Sequence, residues 1–295
     1  MASYVVTGVS SGLGFEIVRQ VSANPDNTVI GLVRNKPATE KKVKEELGDR
    51  ANIHILGISD LTSVEDLKVS RYPATKLPHW DTLTDPIIQR AAAETAAITG
   101  GSLDYLIANA GYVTSFDAFD PLDTLAAKPA ELREDFIKSM DINVIGNIYL
   151  YNAFMPLILK GKVKKVVAIS SGMADIELCR EYDLYSGAIY ACSKAAMNIV
   201  TAKYSAQYKD QGVLFLSICP GSADVGKVKP EELTQHQIQE FGTLIGKFQK
   251  YQPNFKGPVK PEVAIKAVIN TWENASIEKG HGGAFLSHLG SKQWL

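Results

Sequence analysis

The sequence has few cysteines and no spacing typical of a metal site. Its 295 residues include three cysteines, at positions 179, 192 and 219, and none of them forms a Cys-x-x-Cys pair. Three cysteines cannot all pair, and unpaired thiols are typical of a reducing compartment. The five histidines also lack zinc-type spacing, so no metal is expected.

A charge excess and long apolar runs are absent too. The formal net charge is −1, whereas binding to nucleic acid or to an anionic membrane calls for a basic excess. No apolar run approaches the ~20 residues of a membrane span, and no basic, apolar leader precedes the first strand pattern at Tyr4. We therefore expect a cytoplasmic protein that binds neither nucleic acid nor a membrane.

Short β-branched segments alternate with longer helical patterns along the chain. The strand-like segments are apolar on both faces, as in parallel strands that helices cover on each side. They lie at 4–6, 28–33, 52–56, 103–108, 164–169, 213–218 and 284–286. Helical patterns lie at 12–23, 39–47, 91–98, 131–159, 188–208, 230–248 and 261–273. This alternation predicts an α/β fold with a Rossmann-type doubly wound sheet of about seven mostly parallel strands.

No linker, repeat or low-complexity tract interrupts this pattern, so residues 1–295 are expected to form a single domain. Two segments are longer than a βα unit requires. Residues 68–86 are rich in proline, which breaks helix and strand alike, and are expected to form an inserted loop. Residues 222–258 follow the sixth strand and are expected to form a helical flap beside the substrate.

A glycine-rich turn joins the first strand to the first helix. Such a turn needs glycine for its tight bend, for close approach of a pyrophosphate and for helix–strand packing. The unpaired N–H groups of the helix's first turn can then bind the phosphates. An ordinary glycine-rich turn is the alternative, but the position between strand and helix favours dinucleotide binding. The candidate contacts are Gly8, Ser10, Ser11, Gly12, Leu13 and Gly14.

Arg34 directly follows the second strand, at the position that meets the adenosine ribose in this architecture. An acidic residue there favours NAD, whereas arginine offers a planar cation to a 2′-phosphate. The sequence therefore predicts NADP(H) over NAD(H), with a solvent-facing arginine as the alternative. After the third strand, Asp60 is a candidate partner of the adenine amino group or a simple helix cap. Leu61 is a candidate cofactor contact beside it.

Tyr190 and Lys194 are spaced to lie one turn apart on the same face of a helix. Such a pair is expected about once by chance in this chain, and Tyr72 and Lys76 repeat the spacing within the proline-rich insertion. Tyr190, however, follows the fifth strand, whose carboxyl end carries Ser171. Ligands bind at this edge of open α/β sheets.

These side chains suggest proton transfer. A phenol titrates near ~10 in water, so a catalytic tyrosine needs its anion stabilised. The Lys194 ammonium and an oxidised nicotinamide would lower that pKa, and Ser171 could hold a substrate carbonyl as oxyanion character develops. A buried core tyrosine and a turn-capping serine are the alternatives for each residue alone.

Together these residues resemble the short-chain dehydrogenase/reductase superfamily, in its shorter, single-domain branch. The resemblance covers roughly residues 3–220 and includes the Thr-Gly-x-x-x-Gly-x-Gly turn and Ala-Asn-Ala-Gly at 108–111. Residues 31–36 look closest to fungal, NADP-dependent ketoreductase-like members. The resemblance to the superfamily implies that Tyr190 is the general acid in ketone reduction and that Lys194 binds the nicotinamide ribose.

The resemblance implies further roles. Ser171 would orient the carbonyl, and Asn143 would hold a water in a proton relay. The remaining implied cofactor contacts are Asn109, Ala110, Gly111, Pro220, Gly221 and Ser222. Ser11 stands where many NADP-dependent members have a basic residue, and Val225 stands where the family often has a threonine that binds the carboxamide.

Ser171 and Tyr190 are 19 positions apart, which is more than usual in the family and indicates an enlarged loop beside the substrate. Candidate substrate contacts in this loop are Met173, Tyr182 and Tyr185. With the flap aromatics at 241, 248 and 251 they suggest an apolar or aromatic ketone, unless they are core or interface residues.

We expect an NADP(H)-dependent oxidoreductase that interconverts a ketone or aldehyde and an alcohol. A non-catalytic NADP(H)-binding regulator and a dehydratase or isomerase of the same fold are the alternatives. The helical patterns at 131–159 and 188–208 resemble the family's dimer-forming pair, so a homodimer or homotetramer is expected by analogy.

Overall fold

The fold is built on one parallel sheet. The computed structural model describes residues 1–58, 86–226 and 230–295. Its strands are β1 (Ser3–Thr7), β2 (Thr28–Val33), β3 (Ile53–Gly57), β4 (Tyr105–Ala108), β5 (Lys165–Ile169), β6 (Leu214–Cys219) and β7 (Phe285–Ser287). Their order is β3-β2-β1-β4-β5-β6-β7, and each neighbouring pair is parallel. The predicted Rossmann-type sheet is confirmed, with its switch point between β1 and β4.

The helices cover both faces of this sheet. They are α1 (Gly12–Val21), α2 (Lys36–Leu47), α3 (Pro86–Thr99), α4 (Leu122–Ala126), α5 (Pro129–Met140), α6 (Gly146–Ile158), α7 (Ile176–Glu181), α8 (Ala188–Tyr208), α9 (Gln235–Tyr251) and α10 (Pro261–Asn274). Short 3-10 turns lie at Gly172–Ala174, Lys209–Gln211 and Pro230–Glu232. None of the described helices is long and apolar enough to span a bilayer.

Two apolar clusters, one on each face of the sheet, explain why apolar and polar residues do not alternate along the strands. Val5 and Leu106 point into a cluster with Phe154 of α6, whereas Val6 and Ile107 point into the opposite cluster. Successive side chains of a strand leave opposite faces, so a sheet covered on both sides requires apolar residues at every position.

Several predicted boundaries were wrong. The single helix predicted at 131–159 is interrupted by a π turn at Asp141–Ile145, which separates α5 from α6. Pro86, placed in the inserted loop, is instead the first residue of α3, and residues 68–85 of that loop lie outside the described part of the chain. The helix predicted at 230–248 begins at Gln235 rather than at Pro230, because Thr234 caps α9 through a capping box.

Candidate active site

The glycine turn forms a narrow cradle between β1 and α1. Gly8 and Gly12 have φ values of +72° and +56°, which glycine adopts without strain. A Cβ on Gly8 would lie 2.9 Å from the Cα of Ala110, and one on Gly14 would overlap the carbonyl oxygen of Gly8. Any larger side chain at these positions would therefore displace the backbone.

The cradle fits the pyrophosphate of a dinucleotide. Ser10 and Ser11 are exposed, and Gly12 and Leu13 are half-buried. Within the described residues the Ser11 side chain does not cap α1, and the first turn of α1 contains no acidic residue. The positive end of the helix is therefore available to an anion. Val225, from the segment after β6, faces Gly12 across this groove.

Asn109 ties the exit of β4 to the exit of β1. Its side-chain amide donates to the Thr7 carbonyl oxygen at 2.9 Å. The Thr7 hydroxyl oxygen accepts from the backbone N–H groups of Asn109 and Ala110, at 3.0 and 2.8 Å. These bonds fix the switch point of the sheet, and Gly111 follows directly beside the catalytic candidates.

Two cations follow β2, the strand next to β1. Arg34 is exposed at the end of β2, as predicted from its position. Lys42 of α2 was not predicted: its Nζ donates to the Ser10 carbonyl oxygen at 3.3 Å and lies 4.4 Å from the centre of the Phe15 ring. The fold brings it there from 32 positions away in sequence. Asp60 and Leu61 lie outside the described residues.

Lys194 is held inside the site by backbone. Its Nζ donates to the carbonyl oxygen of Ile169, at the end of β5, at 2.8 Å, and lies 5.7 Å from the centre of the Tyr190 ring. A Cβ on Gly111 would lie 3.4 Å from this Nζ and 3.2 Å from Asn143 Oδ1. The structure therefore brings Lys194, Tyr190, Gly111 and Asn143 together.

The Tyr190 side chain lies beside Ser171, which caps the 3-10 turn after β5. Burial raises the pKa of Tyr190, the nearby Cys219 thiol adds to the rise, and the Ser171 hydrogen bond partly offsets it. Without a cofactor the phenol is thus held protonated. This is the form that can donate a proton to a carbonyl oxygen.

Asn143 occupies the π turn and is almost completely buried. Its Oδ1 accepts from the Tyr112 N–H at 2.7 Å, and its Nδ2 donates to the Tyr112 carbonyl oxygen and to Ser193 Oγ, both at 2.9 Å. The Asn143 carbonyl oxygen accepts from Asn147 Nδ2 at 2.8 Å. The side chain is thus used structurally, and the carbonyl oxygen keeps one lone pair for the water of the predicted relay.

A cavity of about 230 Å³ opens beside Ser171. Its walls in the described part of the chain are Ser171, Gly172, Met173, Leu178, Cys219, Gly221, Ser222, Ala223, Phe248, Trp294 and Leu295. Met173 lines it as predicted, but Tyr182 and Tyr185 do not: Tyr182 packs on Tyr251, and the Tyr185 hydroxyl donates to Glu240 at 2.6 Å. Both tyrosines support the flap instead.

The far end of the cavity is closed by residues that the sequence did not indicate. Trp294 packs against Gly172 and stacks on Phe285, with ring centres 4.3 Å apart. Its backbone N–H donates to the Tyr251 hydroxyl at 2.9 Å. Only the placement of β7 beside β6 brings this late segment to the site.

The cavity floor holds a thiol. Cys219 Sγ accepts from the N–H groups of Gly172 and Gly221, at 3.0 and 3.4 Å. Burial raises the pKa of Cys219 to about 11, so it remains a neutral thiol. The His288 ring packs against Gly221, which has a φ of +75°, and burial lowers the pKa of His288. Among the described residues there is no group of three side chains suited to a metal ion.

Known proteins share this sequence and fold. Residues 79–236 match the family model described as short chain dehydrogenase. The short chain dehydrogenase virK of Hypocrea virens is 50% identical over 295 residues, and the short-chain dehydrogenase/reductase iacC of Pestalotiopsis fici is 46% identical over 296; each alignment covers 100% of both chains. The fold is similar to that of an NADPH-bound carbonyl reductase from chicken fatty liver, with a TM-score of 0.71, 22% identity and coverage of 99% of this chain and 98% of that one. The chain therefore belongs to the short-chain dehydrogenase/reductase family, whose members are oxidoreductases that bind a nicotinamide cofactor and act on CH–OH and C=O groups.

Proposed function

We propose that the protein is an NADP(H)-dependent oxidoreductase that interconverts a ketone or aldehyde and its alcohol, with Tyr190 as the general acid and base. The observation that carries the proposal is the convergence of Ser171, Tyr190 and Lys194 at the carboxyl edge of the sheet, beside the glycine cradle. When bound there, the nicotinamide cofactor supplies or accepts the hydride.

Each side chain has a role that its surroundings support. Ser171 Oγ and the Tyr190 hydroxyl lie side by side and can both donate to one carbonyl oxygen. Burial keeps Tyr190 protonated for reduction. Lys194 is oriented by the Ile169 carbonyl oxygen, and its ammonium favours the phenolate that the reverse reaction needs.

The two cations beside the cradle support NADP(H). Lys42 contacts Ser10 in the turn, and Arg34 is exposed directly after β2, at the position that meets the adenosine ribose in this architecture. Lys42 supplies a second positive charge, whereas many NADP-dependent members have a basic residue at the position of Ser11. The NADPH in the chicken carbonyl reductase, which has the same fold, is consistent with this preference.

The cavity supports an apolar or aromatic carbonyl compound as substrate. Met173, Leu178, Phe248 and Trp294 give it apolar walls, and Ser171 and Ser222 are polar side chains in its lining. Pockets of this kind bind ligands mainly by apolar burial and orient them with a few polar groups. The volume of about 230 Å³ favours a compound of one or two rings.

Turnover of the Tyr190→Phe variant tests the proposal. NADPH consumption is measured with a panel of aryl and alkyl ketones and aldehydes, and alcohol products are identified. We expect the variant to bind NADPH normally but to lose at least ~100-fold in kcat, the range for losing a general acid. Tyr72→Phe, which alters the other Tyr-x-x-x-Lys pair, should turn over normally. Full activity of Tyr190→Phe, or product without net NADPH consumption, would contradict the proposal and favour a regulator or an isomerase.

A further inference from the structure

The helix that carries Tyr190 and Lys194 is capped by an aspartate from another part of the chain. Asp117 lies between β4 and α4, and its Oδ2 accepts from the N–H groups of Ile189 and Tyr190, at 2.6 and 3.0 Å. Its carbonyl oxygen accepts from the N–H of Gly187 at 2.8 Å. Asp117 is only 1% exposed, so water does not compete for these bonds.

Helix α8 depends on this external cap. Its N-cap position is Gly187, which has a φ of +67° and no side chain with which to accept a hydrogen bond. The first N–H groups of a helix have no partner within the helix. A carboxylate satisfies two of them at once and also complements the positive end of the helix dipole.

The two peptide groups of Tyr190 are thus held from both directions. Asp117 accepts from its N–H, and Ser193 Oγ donates to its carbonyl oxygen at 2.8 Å. Ser193 Oγ in turn accepts from Asn143 Nδ2. The position of the phenol above Ser171 therefore follows from an anchored backbone rather than from helix propensity alone.

Charged and titratable groups surround this anchor. Asp135 of α5 faces Asp117, while Lys194 and the Cys219 thiol of β6 face the Tyr190 side chain. Asp117 touches neither the cavity nor the glycine cradle in the described residues. Any effect of Asp117 on the reaction therefore acts through the first turn of α8, which carries Tyr190.

We propose that Asp117 is a positioning residue of the reaction: it fixes the first turn of α8 so that the Tyr190 hydroxyl meets Ser171 and the substrate oxygen. This inference rests on the proposed function of Tyr190. A displacement of about 1 Å in a reacting group can cost on the order of 100-fold in rate. Loss of the anchor should therefore lower kcat while leaving the cofactor cradle intact.

The test compares Asp117→Leu, Asp117→Asn and a matched control, Asp104→Asn. Asp104 also accepts backbone N–H bonds, from Ser3, Lys162 and Val163, but at the opposite edge of the sheet. For each variant kcat, KM, NADPH affinity and thermal stability are measured. We expect Asp117→Leu to lose about 100-fold in kcat with unchanged NADPH affinity. Asp117→Asn should lose about tenfold, since a neutral amide oxygen is the weaker acceptor. Asp104→Asn should lose stability but not kcat.

The outcomes are distinguishable. Wild-type kcat in folded Asp117→Leu overturns the inference, as does an equal loss of kcat in Asp104→Asn at equal stability. If Asp117→Leu does not fold, Asp117→Asn decides: a loss near tenfold supports positioning, and wild-type kcat overturns it. If Tyr190→Phe remains active, the proposed function fails and this inference with it; if Tyr190→Phe is inactive, only the Asp117 result decides.

Discussion

Opposing effects act on the protonation of Tyr190. Burial and the Cys219 thiol raise its pKa, while the Ser171 hydrogen bond lowers it. The Lys194 ammonium, 5.7 Å from the ring centre, favours the anion. Before a cofactor binds, burial prevails and the phenol stays neutral, which is the form that the proposed ketone reduction requires. Alcohol oxidation needs the additional positive charge of an oxidised nicotinamide next to the ring.

Replacing Lys42 should weaken NADPH binding selectively. A charge-assisted hydrogen bond contributes about 1.5–3 kcal/mol, which corresponds to roughly 10- to 100-fold in affinity. We expect Lys42→Ala to raise the Kd for NADPH by about tenfold and to leave the Kd for NADH unchanged. Nicotinamide fluorescence measures both constants.

Lys41→Ala is the matched control. Lys41 is the neighbouring residue on α2, but it faces solvent and pairs with Glu45. It should leave both affinities unchanged. Equal weakening of NADPH and NADH by Lys42→Ala would show that Lys42 supports the turn rather than the 2′-phosphate.

The sequence predicts those parts of the site that are formed by residues close together in the chain. The glycine turn and the Tyr190–Lys194 spacing are formed by residues close together in the chain, so both could be recognised from the sequence. Lys42 and Trp294 reach the site through tertiary contacts, to Ser10 and Gly172, and no local pattern indicates such contacts. The same limit explains why Tyr182 and Tyr185 were assigned to the substrate although they support the flap.

At the scale of elements, α9 is the least firmly packed helix near the site. None of its 17 residues, all of them described, is buried. Leu244, Phe248 and Tyr251 pack partly buried against the apolar cluster around Trp294. Polar contacts add to this packing: His236 Nε2 lies 2.7 Å from Asp120 Oδ1, and Glu240 accepts from the Tyr185 hydroxyl at 2.6 Å. Since Phe248 of α9 lines the cavity, these contacts hold the flap beside the cavity.

The flap should loosen as pH rises. The hydrogen bond to Asp120 raises the pKa of His236 above its ordinary value, and the Asp120 and Glu240 charges add to the rise. Because the pKa of His236 is raised, its contact with Asp120 stabilises the folded flap fully below about pH 6.5. This stabilisation is lost as the pH rises through the raised pKa. Hydrogen exchange of residues 235–251, corrected for intrinsic rates, should therefore increase between about pH 6 and pH 8.

Helix α10 is the internal control for this experiment, because its core face is buried and carries no such contact among the described residues. Its corrected exchange should not change with pH. His236→Gln should remove the pH dependence of α9. Unchanged exchange of wild-type α9 across this range would contradict a role for His236 in holding the flap.

Helices and strands were predicted well where the pattern of apolar residues is strong. They were predicted less well where a helix is interrupted without a change in that pattern. All seven described strands overlap their predicted segments, because apolar runs in a covered sheet are unambiguous. The π turn at Asp141–Ile145 was missed because apolar residues continue across it. Helix α7 was missed because six residues are too few to establish a period.

At the scale of the whole molecule, the sheet collects its chemistry at one edge. The turns after β1, β4, β5, β6 and β7 all emerge there, which brings Gly8, Gly111, Ser171, Gly221 and Trp294 together from across the sequence. At the opposite edge the Asp104 side chain bonds, among the described residues, only backbone N–H groups and the Ser3 hydroxyl, a structural arrangement. This division follows from parallel topology.

Exposed apolar residues support the homodimer or homotetramer expected from the resemblance. Phe136 and Ile137 of α5 are 40% and 44% exposed, Ile145 is 38% exposed, and Ile199 of α8 is 63% exposed. These helices are the pair that resembles the family's dimer-forming elements. We expect the wild-type protein to elute as a dimer or tetramer and Ile199→Asp to shift it towards the monomer, measured by light scattering after size-exclusion chromatography.

Ile176→Asp serves as the control for that shift. Ile176 is 76% exposed, but on α7 beside the cavity rather than on α5 or α8. It should leave the mass unchanged. A monomeric wild-type protein, or equal dissociation by both variants, would contradict an interface on α5 and α8.

The most direct test of the central claim is a titration of the purified protein with NADPH and with NADH, followed by nicotinamide fluorescence. We expect saturable binding of both nucleotides, with NADPH bound at least about tenfold more tightly because of a charge-assisted contact to its 2′-phosphate. Arg34→Asp should abolish that preference and leave NADH binding. Tighter binding of NADH by the wild type would contradict the roles of Arg34 and Lys42, and failure to bind either nucleotide would contradict the dinucleotide site itself.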